Sequence, residues 1–123
     1  RLPIIPAGAR VQNVTCHYCI VGCGYKAYTW PMNTQGTAGA NWSGEDLGAQ
    51  QPLNTANWYA PSMYNVVKQD GRSVHLVIKP DHECVVNSGL GSVRGARMAE
   101  NRRSDVTGTQ QQRLTDPLVW RYG

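Results

Sequence analysis

Apolar residues alternate with polar ones in only a few short stretches of this chain, and most of the remainder is polar and glycine-rich. The clearest alternation is Val74, Leu76 and Ile78, which share one face of a strand over residues 73–79. Asp70-Gly71 is a strong turn signal just before it, and residues 63–68 read as the partner strand of a hairpin. Pro80 and Asp81 close the unit. Residues 25–30 (Tyr-Lys-Ala-Tyr-Thr-Trp) suit a half-buried pleat and end at Pro31. Residues 11–15 read as a short strand that runs into Cys16.

The other segments carry weaker signals. Residues 1–10 hold Pro3 and Pro6 and are expected to be extended. Residues 32–57 are dominated by Asn, Gln, Gly, Ser and Thr without periodicity, which predicts a long surface loop or insertion. A short helix is expected over 96–101, a polar loop over 104–112, and an extended strand or connector over 114–119. The fold class that follows is α+β: one small domain over 1–123, of short antiparallel strands with one or two helices. The chain starts at Arg1 without an initiator Met and stops at Gly123 with no terminating pattern, so a piece of a longer chain is expected.

Composition narrows the function. Thirteen glycines and seven prolines favour turns, and the aromatic content rests on four Trp and six Tyr with no Phe. The net charge of +4 is scattered. Arg94, Arg97, Arg102 and Arg103 form the one small basic cluster, and no base-stacking pattern accompanies them, which argues against nucleic acid as a partner. No apolar run is long enough for a transmembrane segment. Ser62 and Ser88 lack the His and Asp partners of a nucleophilic triad.

The chemistry is concentrated in Cys16-His17-Tyr18-Cys19-Ile20-Val21-Gly22-Cys23-Gly24. Three of the four cysteines stand at C-x2-C-x3-C spacing. Crowded thiols with one distant partner, Cys84, make poor disulfides and good metal ligands. Iron–sulfur clusters are held by thiolates at such spacings, and Gly22 and Gly24 let backbone approach a bulky inorganic core. A zinc site is the rival, with Cys84 and His82 or His17 completing a tetrahedron. Otherwise His17 is expected to cover the loop, His75 to be structural or exposed opposite Val74, Leu76 and Ile78, and His82 to be solvated.

A second glycine-rich stretch, Leu90-Gly91-Ser92-Val93-Arg94-Gly95, resembles the second cluster-binding segment of the molybdopterin oxidoreductases. There a Leu-x-Cys-x-Lys-Gly pattern supplies the fourth ligand and then a basic residue. Ser92 stands at the cysteine position and Arg94 at the lysine position. The tail, Arg113-Leu114-Thr115-Asp116-Pro117-Leu118-Val119, resembles the stretch that precedes the pterin domains.

Within that superfamily, Arg1-Leu2-Pro3-Ile4-Ile5-Pro6, the cysteine loop and Cys84-Val85-Val86-Asn87-Ser88-Gly89-Leu90 resemble the large-subunit family of arsenite oxidase. The resemblance weakens between Met32 and Asn57. It implies a 3Fe-4S cluster on Cys16, Cys19 and Cys23, with Ser92 beside a vacant fourth corner and Arg94 between cluster and pterin. Cys84, eight residues before Ser92, is then a buried free thiol rather than a ligand. A serine hydroxyl is a harder donor and far weaker acid than a thiol, so the corner iron is poorly held.

The resemblance further implies a periplasmic enzyme that oxidises arsenite at a molybdenum bis(pterin guanine dinucleotide). A Rieske-type small subunit and a cytochrome c or cupredoxin would accept the electrons. It implies no catalytic residue within this segment. A related molybdenum reductase such as iodate reductase, or a freestanding zinc module, is the alternative.

Overall fold

The computed structural model describes residues 2–36, 59–112, 114 and 116–122. Four strands build one antiparallel sheet: β1 (Arg10–Thr15), β2 (Gly24–Pro31), β3 (Tyr64–Gln69) and β4 (Arg72–Pro80), in the order β1-β2-β4-β3. The β3–β4 hairpin turns at Asp70 and Gly71, with φ of 53° and 78°. Positive φ at both central residues is the type I′ condition, and it sets the register Gln69↔Arg72 through Tyr64↔Val77. The expected boundaries hold to within a residue or two for all four strands.

β2 and β4 lie in the middle, and both of their faces are covered. One face carries Tyr25, Ala27, Leu76 and Ile78 against Met98 and Ala99, with Val14, Cys16, Cys23 and Val67 packed alongside. The other carries Trp30 and Val77 against Ile5 and Tyr59. Two-sided burial explains why every residue from Val74 to Lys79 is buried, where alternation alone predicts one buried face. His75 is buried on the second face. Its Nε2 lies 3.2 Å from the Met32 carbonyl and its Nδ1 2.7 Å from the Tyr64 hydroxyl. A carbonyl only accepts, so Nε2 carries the proton and Tyr64 donates to Nδ1. His75 is therefore structural.

The helix expected over 96–101 is not formed. That stretch holds a single 3-10 turn, Gly95–Arg97, and no α-helix occurs among the described residues. The α+β expectation thus reduces to a small antiparallel sheet with 3-10 turns. Six residues cannot recover the cost of helix nucleation. The stretch is tied to the sheet instead: the buried Asn65 side chain donates to the carbonyls of Ala99 and Arg102, at 2.8 and 3.0 Å. Most of the expected 32–57 loop lies outside the described residues. Residues 114 and 116–122 form no strand, and Leu114, Leu118, Val119, Trp120 and Tyr122 are exposed. No helix of the described residues is long and apolar enough to cross a membrane.

Candidate metal centre

The cysteine loop is the connection between β1 and β2. The ladder ends at Thr15↔Gly24. One further rung follows, in which the Cys16 N–H donates to the Cys23 carbonyl at 2.8 Å. Directly opposed residues of an antiparallel pair project to the same face. Cys16 and Cys23 therefore share the face of Val14 and Tyr25, and both are half-buried against its core. Gly22 takes a φ of +67°, which turns the chain back into Cys23. Cys19 is exposed at the loop, and all four cysteines are free thiols.

The second glycine-rich segment folds over the same end of the sheet. Its contact is Tyr25, two residues beyond Cys23. The Tyr25 hydroxyl lies so close to Gly91 and Gly95 that a Cβ at either would overlap it. Tyr25 is fully buried, and its pKa is pushed up to about 12, first by burial and then by the proximity of Cys16 and Cys23. One tyrosine thus touches the glycines on both sides of Ser92 and Arg94 and stands beside two of the three loop cysteines. Ser92 and Arg94 are exposed, and the Arg94 N–H donates to Ser92 Oγ at 3.2 Å. This is a local turn in which the serine hydroxyl serves the backbone.

Gly95→Ala tests this packing. The new Cβ would meet Tyr25 Cζ at 2.6 Å as well as the hydroxyl. A loss of about 1–3 kcal/mol is expected from overpacking, read from thermal unfolding. Tyr25→Phe should return part of it in a double-mutant cycle. An alanine variant as stable as wild type would contradict the contact.

Cys84 is half-buried rather than buried. Its Sγ would lie 2.7 Å from a Cβ at Gly24, so Gly24 is needed for this approach. The fourth thiol is therefore near the base of the loop, closer than its sequence distance suggests. Sequence reasoning also missed Asn87. It is buried, accepts from the Gly24 N–H at 3.0 Å, and donates to the carbonyls of Gly24 and Leu90 at 3.0 and 2.8 Å. An asparagine in a polar stretch gives no sign of partners 63 residues away.

The donor set suits a soft-metal cluster. Among the described residues no three His, Cys, Asp or Glu side chains converge as they would around a single ion. A cluster makes a different demand, because its thiolates bind separate corners. The loop places Cys16 and Cys23 at its base on one face and Cys19 further along, exposed. His17 stacks on Tyr18 at 4.5 Å, with both rings on the exposed loop. His82 is half-buried.

A small antiparallel sheet with this cysteine loop is an iron–sulfur-binding domain. The chain matches the Rieske 3Fe-4S family over residues 16–109, and it belongs to that family. It is 44% identical over 102 residues to the arsenite oxidase subunit AioA of Herminiimonas arsenicoxydans, covering 80% of this chain and 12% of that relative. It is also 35% identical over 122 residues to the iodate reductase subunit IdrA of Denitromonas iodatirespirans, covering 96% of this chain and 13% of the relative. The IdrA subunit of Pseudomonas sp. (strain SCT) gives 37% over 122 residues. The chain therefore spans 12–13% of the length of these relatives.

Proposed function

We propose that this chain is the electron-relay segment of an arsenite oxidase catalytic subunit, with a 3Fe-4S cluster on Cys16, Cys19 and Cys23. The observation that carries the reading is the pairing of the cysteine loop with the Ser92 segment around Tyr25, in a chain similar to an arsenite oxidase subunit. The cluster, when bound, supplies one-electron relay between a molybdenum bis(pterin guanine dinucleotide) and the outside. The chain's own residues do the rest. Three thiolates hold the irons. Ser92 Oγ is a hard, weakly acidic donor at the fourth corner and leaves it open. Arg94 offers a permanent cation and a planar donor fork for a pterin or its phosphates. Its exposure leaves it free to face a further domain.

The remaining parts of the proposal belong to the whole protein. Arsenite is oxidised to arsenate beyond this segment, and electrons pass to a Rieske-type small subunit and then to a cytochrome c or cupredoxin in the periplasm. A second reading has one observation in its favour. The iodate reductase subunits match more of this chain, 96% against 80%. The discriminating experiment is an assay of the full subunit with its native partner on both substrates. Arsenite-dependent reduction of a cytochrome c is expected. Iodate reduction without arsenite oxidation would transfer the assignment to the reductase.

A further inference from the structure

Asn87 is a buried side chain that ties the cysteine loop to the Ser92 segment by hydrogen bonds. Its amide pairs with both backbone groups of Gly24, the residue after Cys23. Oδ1 accepts from the Gly24 N–H and Nδ2 donates to the Gly24 carbonyl, both at 3.0 Å. An amide paired in this way acts as one extra rung at the start of β2. The same Nδ2 donates to the Leu90 carbonyl at 2.8 Å, and the Leu90 N–H returns a bond of 2.8 Å to the Asn87 carbonyl. Ser88 and Gly89 complete the turn with φ of 48° and 83°. Gly91 and Ser92 follow directly.

The result is a short path of fixed geometry, from Cys23 through Gly24 and Asn87 to Leu90 and Ser92. The Gly24 carbonyl also accepts from the Asp81 N–H at 3.0 Å, so the anchor point is itself held. These bonds are costly to lose, because removing the amide takes a partner from both backbone groups of half-buried Gly24 at once. No shorter residue could span Gly24 and Leu90 with one donor group.

We propose that Asn87 is a positioning residue. It sets the separation between the cysteine loop and Ser92, and thereby the shape of the open corner of the cluster. The inference rests on the cluster reading given above. It predicts that Asn87 substitutions alter the site more than they alter the sheet. Groups that orient metal ligands from behind typically change affinity 10–100-fold when removed.

The test uses the full subunit with its partner and compares wild type, Asn87→Ala, Asn87→Asp and Asn65→Ala. Asn87→Asp keeps the shape and the bond from the Gly24 N–H but loses both donated bonds. Asn65→Ala removes a buried amide that serves the backbone of Ala99 and Arg102 instead. Three readouts apply: the paramagnetic resonance line shape of the oxidised protein, the reduction potential, and the rate of iron release to a chelator. Wild type comes first. If it lacks a three-iron signal, the cluster reading itself fails, whatever Asn87 does.

Given that signal, both Asn87 variants should broaden or shift it and release iron roughly 10–100-fold faster. Asn65→Ala should lower the unfolding temperature and leave the signal and potential unchanged. Wild-type behaviour of the Asn87 variants would overturn the proposal. So would an equal disturbance by Asn65→Ala, or failure of both Asn87 variants to fold, since Asn87 would then serve the fold in general.

Discussion

Cys23→Ala is expected to strip the iron and acid-labile sulfide from the full subunit while the four-stranded sheet stays folded. Cys23 stands at the last rung of the β1–β2 ladder, held by its carbonyl rather than its sulfur. The backbone geometry therefore survives the loss of the thiol. The packing cost is small, because the side chain is only half-buried. The chemical cost is large. Removing an outer-shell partner already weakens metal sites by about 10–100-fold, and loss of one of three thiolates should exceed that. Iron and sulfide quantification reads the result together with the visible absorbance. Full iron content in a folded Cys23→Ala subunit would remove Cys23 from the ligand set.

Ser92→Cys is expected to act in the opposite direction. A thiolate at the open corner retains a fourth iron, and the extra negative ligand lowers the reduction potential. The substitution also replaces a good hydrogen-bond acceptor with a weak one, so the turn at Arg94 should loosen slightly. Iron per subunit should rise from three to four, and turnover should fall as the relay becomes harder to reduce. An unchanged iron count and potential would mean that Ser92 is not at the vacant corner. Cys84 is the informative companion, since its sulfur already approaches Gly24 beside Cys23. If Cys84→Ser removes an iron where Ser92→Cys adds none, Cys84 is the fourth ligand.

The sheet was legible because its signals are local. Asp70-Gly71 dictates a tight turn, and the flanking alternation sets its register. An iron–sulfur family was legible because cysteine spacing is a sequence property, and the family match over residues 16–109 agrees with it. What the sequence hid is long-range. Tyr25 against Gly91 and Gly95 joins positions far apart in the chain, and nothing in a glycine announces which ring it will meet. Asn87 looks like a loop residue and Asn65 like an ordinary strand position in the sequence, and both become buried cross-links in the structure. The missing helix is a matter of length: residues 96–101 are too few to recover the cost of nucleation, and Asn65 ties the Ala99 and Arg102 carbonyls to the sheet. The two-sided burial of β4 depends on residues from the N-terminal stretch, such as Ile5, which alternation within β4 does not reveal.

The central claim is that three cysteines hold three irons while Ser92 leaves a corner open. Electron paramagnetic resonance of the oxidised, full-length wild-type subunit tests it most directly. An oxidised 3Fe-4S cluster has an odd electron count, so a signal is predicted, with three irons per site. A silent oxidised protein carrying four irons per site would contradict the account.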